Sequence, residues 1–270
     1  MSAMPLQAKK PPFEKDLIKT HILQDVKPSS TKTQNTTERK KTPAPKDRTW
    51  SDNMYGGWSR YDVYGDFLDI FGFDIEDPTY IYELATSSFL LENNHYICAA
   101  AWDGKQVQFI SEIYYPSYDV FTIGYRGTLD PMTGEMQLLS NSGYASQETG
   151  NISSLTYDKV SGKLFGLNLN GVLYEVSMQD STSSVIDTIR WQGQSIGYPM
   201  TLSASPNGSL FTISSAGFLY KIDKNTAEAS LVGSVGGTAV ELSYQSATFD
   251  AVSGTLYWAR VIGGDKIDLY

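Results

Sequence analysis

The 270-residue chain divides near Trp50 into two parts of opposite charge: residues 1–50 hold eleven Lys/Arg against five Asp/Glu, net +6, and residues 51–270 hold ten against twenty-five, net −15. A single cysteine, Cys98, excludes an internal disulfide and a cysteine-rich metal cage. No window approaches the roughly 18 apolar residues of a membrane-spanning helix, and the acidic main part would repel phosphate, so neither a membrane span nor a nucleic-acid partner is expected.

Residues 1–50 contain six of the eleven prolines and none of the 23 glycines or 18 tyrosines. Segments such as "KPSSTKTQNTTERKKTPAPKDR" bury too little apolar surface to offset chain entropy, so a disordered basic tail is expected. Within it, "MSAMPLQAKK" has the small-residue spacing of a signal-peptide end, giving residues 1–8 as a signal remnant. Phe13, Leu17, His21 and Ile22 line one side of at most a transient helix, because no second apolar face follows.

Residues 51–270 are expected to form one all-β domain. "NMYGGWSRY", "DFLDIFGFDIEDP" and "TYIYEL" read as strands of a first, partial unit. "YICAAAW", "KQVQFISEI", "DVFTIGYRGTL" and "GEMQLLS" read as a second, with a long middle loop around Tyr114, Tyr115 and Pro116. "KLFGLNL" and "VLYEVSM" flank Asn170-Gly171, a hairpin signal because both turn residues accept positive φ. This third unit returns: Gly162, Gly208 and Gly254 lie 46 residues apart, as do Gly171 and Gly217, and Asp130 precedes Asp223 by 93, two periods within one residue.

A repeat of 40 to 50 residues built from four strands is the signature of a propeller blade, a sheet that cannot cover both of its own faces. The fold class is therefore a β-propeller, partial or of about five blades, of four-stranded antiparallel sheets. Leu164, Phe165, Leu173, Leu210, Phe211, Leu219, Leu256 and Tyr257 are expected to pack between sheets, with Trp102, Trp191 and Trp258 in the core or lining the channel. Residues 51–270 span about 4.8 periods of 46, and "GGDKIDLY" stops at a third-strand position with no turn or cap. A chain truncated at its C-terminus is expected over a five-blade ring closed by N-terminal strands.

The rhythm of "YDKVSGKLFGLNLNGVLYEV" and "FDAVSGTLYW" resembles extracytoplasmic bacterial β-propeller repeat proteins of the YVTN/WD40-like and quinoprotein-like type, well over 150–270 and loosely over 54–150. The resemblance implies a binding or scaffold module, secreted, periplasmic or displayed at the cell surface. The Gly-His and Trp-Asp pairs of eukaryotic WD40 blades are missing. "SPNGSLF" departs from the sialidase Asp-box at Asn207 and Phe211.

Chemistry is sparse. His21 lies in the tail and His95 opens a strand, so no histidine triad or zinc site assembles. Asp62, Asp66, Asp69, Asp74, Glu76 and Asp77 crowd one stretch and read as solvated turn carboxylates. Calcium is the one metal they suit, although the spacing is not that of an EF-hand. No motif calls for another cofactor. Tyr55, Trp58, Tyr61 and Tyr64 recur every third residue, and Tyr114, Tyr115 and Tyr118 cluster further on. These seven are the ligand-binding candidates, since exposed rings offer flat faces to a sugar or a protein.

The functional expectation is a non-enzymatic, monomeric binding module for a protein or glycan. Its alternative is a polysaccharide hydrolase or lyase whose acids come from separate blades. That alternative predicts that carboxylates such as Asp103, Asp158 and Asp250 converge on the axis with raised pKa values. A quinone-cofactor propeller is a third reading, without a dedicated motif.

Overall fold

The computed structural model describes residues 53–62, 65–74, 81–86, 95–115, 120–141, 152–177, 179, 182–235, 245–261 and 267–269. The expected tail, residues 1–50, lies outside the described residues. Those described form strands and turns, with no helix.

The strands group into five sheets. Sheet one joins β1 (Asn53–Asp62), β2 (Gly65–Asp74) and β3 (Ile81–Thr86). Sheet two joins β4 (His95–Trp102), β5 (Val107–Tyr115), β6 (Val120–Leu129) and β7 (Met136–Asn141). Sheet three joins β8 (Ile152–Asp158), β9 (Lys163–Asn168), β10 (Val172–Val176) and β11 (Ser183–Thr188).

Sheet four contains β12 (Arg190–Trp191), β13 (Gln194–Ser195), β14 (Ser203–Ala204), β15 (Leu210–Ile213), β16 (Phe218–Ile222) and β17 (Glu228–Ser234), in the order β13-β12-β17-β16-β15-β14. Sheet five joins β18 (Ser246–Phe249), β19 (Leu256–Val261) and β20 (Ile267–Leu269), so Ile267–Leu269 supplies a third strand, as its repeat position predicts. Leu164, Leu210 and Leu256 hold equivalent places near the start of each second strand.

The first strands stand side by side: β4 beside β8, β8 beside β14, β14 beside β18. Small residues let them approach and polar ones tie them together. Ser154 Oγ accepts from Leu202 N–H and Thr156 Oγ1 from Ala204 N–H, both at 2.9 Å, and Ser203 Oγ donates to Ala247 O at 2.6 Å. Neighbouring sheets thus radiate from a common line of first strands, which is the β-propeller arrangement.

Each gap between sheets holds its own apolar layer. Ile70 meets Phe109 and Leu129 between sheets one and two. Ala99 and Ile110 meet Ile152, Leu155, Leu164, Tyr174 and Val176 between two and three. Phe165, Leu167 and Leu173 meet Leu210, Tyr220 and Ile222 between three and four. Met200 and Ile213 meet Trp258 between four and five.

Alternation sends Leu164 to one gap and its neighbour Phe165 to the other, so every residue of β9 after Lys163 is buried. A sheet covered on both faces needs apolar residues in both phases, which is why "KLFGL" reads as a nearly continuous run. Phe211, Leu219, Leu256 and Tyr257 are half-buried, the last two in the terminal sheet.

One turn recurs along one end of the propeller. Asp130–Gly134, Asp158–Gly162, Asp223–Ala227 and Asp250–Gly254 each close with the fifth residue's N–H donating to the aspartate carbonyl at 2.8 to 3.0 Å. Each aspartate side chain accepts the N–H two residues on. The fifth residue is left-handed, with φ of 74° at Gly134, 71° at Gly162 and 70° at Gly254, a conformation that suits glycine; Ala227 adopts it at 58°. In an antiparallel meander the first-to-second and third-to-fourth connections share an end, so these turns lie together. The second-to-third connections, 169–171 and 214–217, occupy the other.

Two expectations are corrected. Tyr114 and Tyr115 are strand residues of β5, paired with Phe121 and Val120, so no long loop surrounds them. Trp102 is 42% exposed at the turn end of β4, a first strand, so of the two places expected for it the core is excluded. Trp258 is in the core, its Nε1 donating to Gln245 Oε1 at 3.1 Å, and Trp191 is half-buried against Tyr220. Cys98 is a half-buried packing residue whose thiol donates to Ile110 O.

Candidate functional site

The aspartate turns carry the strongest electrostatics and do structural work. Asp158 closes β8 and is fully buried. Its Oδ1 accepts Val160 N–H at 2.9 Å and its Oδ2 accepts Ser161 Oγ–H at 2.5 Å. Lys224 reaches across from the β16–β17 turn of the next sheet, its Nζ 2.6 Å from Asp158 Oδ2 and 3.3 Å from Gly208 O. Burial pushes the Asp158 pKa up, but the hydrogen bonds from Lys224, Ser161 and Val160 together with the ammonium charge outweigh it and hold the carboxyl below the usual range.

The repeat-related Asp250 is also held low, by hydrogen bonds from Ser253 and the Val252 N–H against a smaller effect of burial. Asp103 accepts Lys105 and Gln106 N–H at 2.8 and 2.9 Å in its own turn. A glycosidase acid needs a raised pKa. Asp158 and Asp250 have the opposite shift, because a folded turn surrounds each carboxylate with donors. The raised pKa values that the hydrolase or lyase alternative predicts are not found at Asp158 and Asp250.

Arg126 makes a second link between sheets. Buried in β6, it donates from Nη1 to Ser177 O at 2.9 Å and Thr182 O at 2.7 Å, and from Nη2 to Ser183 Oγ at 2.6 Å, all at the β10–β11 connection of sheet three.

Of the acidic stretch, Asp62, Asp66, Asp69 and Asp74 lie in β1 and β2 rather than in turns, Asp69 opposite Trp58, while Glu76 and Asp77 lie outside the described residues. Among the described residues no three His, Cys, Asp or Glu gather as metal ligands. No helix among them is long and apolar enough to cross a membrane.

Of the aromatic candidates, Tyr55, Trp58 and Tyr61 lie along β1, opposite Gly72, Asp69 and Asp66. Tyr114 and Tyr115 end β5, a second strand, and so sit at the end that carries turns 169–171 and 214–217. Tyr64 and Tyr118 lie outside the described residues. The exposed rings that sequence reasoning missed, Tyr198 and Phe218, are at this same end. Their signal was faint: Phe218 follows Gly217 where the preceding repeat has Val172 after Gly171.

No family model matches the chain, and no curated protein matches it. Among solved structures, a structural-genomics protein of unknown function from Bacteroides thetaiotaomicron VPI-5482 is similar at 12% identity and a TM-score of 0.50, over 78% of this chain and 55% of that one. The chain thus spans little more than half the length of that protein. Myxococcus xanthus glutaminyl cyclase matches at 14% identity and a TM-score of 0.49, covering 79% of this chain and 86% of that one. YCF48 bound to D1 peptide matches at 12% and 0.38, over 77% and 62%. At these identities a likeness speaks to the fold alone.

Proposed function

We propose that the chain is a non-enzymatic propeller that binds a protein or glycan through the end carrying the second-to-third-strand connections. In this reading it is exported, with residues 1–50 as a basic tether. The observation that supports it is the allocation of polar groups. Asp158, Asp250, Lys224 and Arg126 are used in turns and inter-sheet links at the end where Trp102 is exposed, whereas at the opposite end two rings, Tyr198 and Phe218, face solvent beside turns without such links. Export draws on the likeness of "YDKVSGKLFG" to exported propeller repeats.

The test immobilises the full chain, probes it with a glycan array and a panel of secreted proteins, and incubates the same polysaccharides with it while assaying new reducing ends. Retention without new reducing ends is the expected result. Turnover of any polysaccharide contradicts the reading.

A further inference from the structure

We propose that the seam between sheets three and four binds a neutral oligosaccharide, with Tyr198 and Phe218 as its stacking platforms. This rests on the binding-module reading and specifies its ligand.

Two turns border the seam. In sheet four, Ser214–Gly217 is closed by Ser214 N–H to Phe218 O and Gly217 N–H to Ser214 O, both at 2.9 Å. Residues 197–199 lie along it: Ser215 N–H donates to Tyr198 O at 2.8 Å, and Pro199 bridges Ser214. On the other side Pro199 reaches the β9–β10 turn, where a Cβ added at Gly171 would lie 3.7 Å from the proline ring. Leu169, Asn170, Tyr198 and Phe218 therefore share one rim.

Both rings are exposed, and that of Phe218 is supported from beneath. Tyr198 is 53% and Phe218 39% exposed. Phe218 shares a face of β16 with Tyr220, their centroids 6.5 Å apart, and Tyr220 packs in turn on Trp191 at 6.0 Å. A ring held by a buried column loses little freedom on binding, which favours affinity. The Tyr198 hydroxyl and the exposed Asn170 amide make no hydrogen bond to the protein among the described residues, so both are open to a ligand.

Charge selects the ligand class. Residues 191–220 and 164–174 contain no Asp, Glu, Lys, Arg or His; at 19% charged overall, a 30-residue stretch would carry about six such groups. Two turn segments of rings, amides and hydroxyls with no charge of their own, flanked by one acid and one base, Asp187 and Arg190, match the CH faces and hydroxyls of a neutral sugar. An acidic polysaccharide would meet the net −15 of residues 51–270, and beside the rim the exposed Arg190, next to Ile189 whose N–H bonds Gly171 O, is offset by the exposed Asp187 opposite Leu173. A protein partner would need a contiguous aliphatic centre, and among the described residues the exposed aliphatic side chains near these turns, Leu169 of sheet three and Val232 of sheet four, stand on separate sheets.

Isothermal titration of the full chain with cellohexaose, xylohexaose, mannohexaose and chitohexaose tests this. At least one is expected to bind. Tyr198→Ala and Phe218→Ala should each raise its Kd about tenfold or more, while Val160→Ser at the opposite end changes it less than about twofold. Tyr198→Phe, which removes only the hydroxyl, and Asn170→Asp, which adds a charge to the rim, weaken binding without touching the core, so a poorly folding alanine variant leaves the test intact. Failure of all four sugars to bind, binding of only an acidic oligosaccharide such as a polygalacturonate hexamer, or binding indifferent to Tyr198 and Phe218 overturns the inference. None of these touches the binding-module reading, which falls to turnover in the reducing-end assay.

Discussion

The two ends of the propeller solve opposite problems with similar short turns. At one end, four five-residue turns bind their own aspartates, and the Asp158–Lys224 pair and the Arg126 fork tie adjacent sheets together. At the other, Asn168 Oδ1 accepts the N–H groups of Asn170 and Val172 in the 169–171 turn and 214–217 closes on backbone bonds and Ser214 Oγ, but neither turn sends a charged group to the adjacent sheet, and Asn170, Tyr198 and Phe218 face water. Hydrogen-bonding capacity satisfied internally stabilises; capacity left open recognises. On the proposed reading, the first end serves stability and the second serves recognition.

The largest disruption comes from the inter-sheet pair. Lys224→Met leaves Asp158 fully buried without its cation, and a loss of about 2–4 kcal/mol in urea unfolding is expected, the lysine's partial exposure keeping it below the cost of a fully buried pair. Gly208→Ala should follow at about 2–3 kcal/mol. With φ at 81°, the new Cβ would lie 2.8 Å from Asp158 Oδ1 and 2.9 Å from Val160 Cβ. Gly162→Ala has the same strain but its nearest neighbour lies 3.9 Å away, so about 1 kcal/mol is expected. The difference between these two glycines isolates the contact between sheets.

Acid should unlock the same end. The folded pKa of Asp158 lies below its unfolded value, so the stability it contributes is complete above about pH 4 and lost as pH falls through the folded value. Comparative urea melts should show the wild-type advantage over Asp158→Asn shrinking below that pH. An advantage that persists at pH 2 contradicts the ionic account.

The smallest effects sharpen the contrast. Ala227→Gly relieves a positive φ and loses a buried methyl group, terms of about 0.8 kcal/mol each that nearly cancel, so stability should stay within about 0.5 kcal/mol. Tyr198→Ala at the proposed binding end should likewise move stability by no more than about 0.5 kcal/mol.

What the sequence revealed was whatever is written locally and repeated. Gly162, Gly208 and Gly254 exposed the period because each turn demands a left-handed residue, and Leu164, Leu210 and Leu256 exposed the packing because each sheet faces a similar neighbour. Contacts between sheets were hidden. Asp158 and Lys224 stand 66 residues apart, and nothing in "YDKVSG" distinguishes an aspartate that gains a lysine from the related Asp250. The β12–β13 hairpin was hidden as well. "RWQGQS" supplies only two residues per strand, and it pairs parallel with β17 because the chain leaving sheet three crosses to the outer edge of sheet four. The aromatic candidates were chosen for clustering in sequence. Tyr198 and Phe218, twenty residues apart, come to the same end only because Ser214–Gly217 folds back onto residues 197–199.

A double-mutant cycle between Asp158→Asn and Lys224→Met, read by urea unfolding at pH 7, tests most directly whether adjoining repeats are locked at the aspartate-turn end. A coupling of at least about 1 kcal/mol is predicted, and additive effects, with a coupling within about 0.3 kcal/mol of zero, would contradict it.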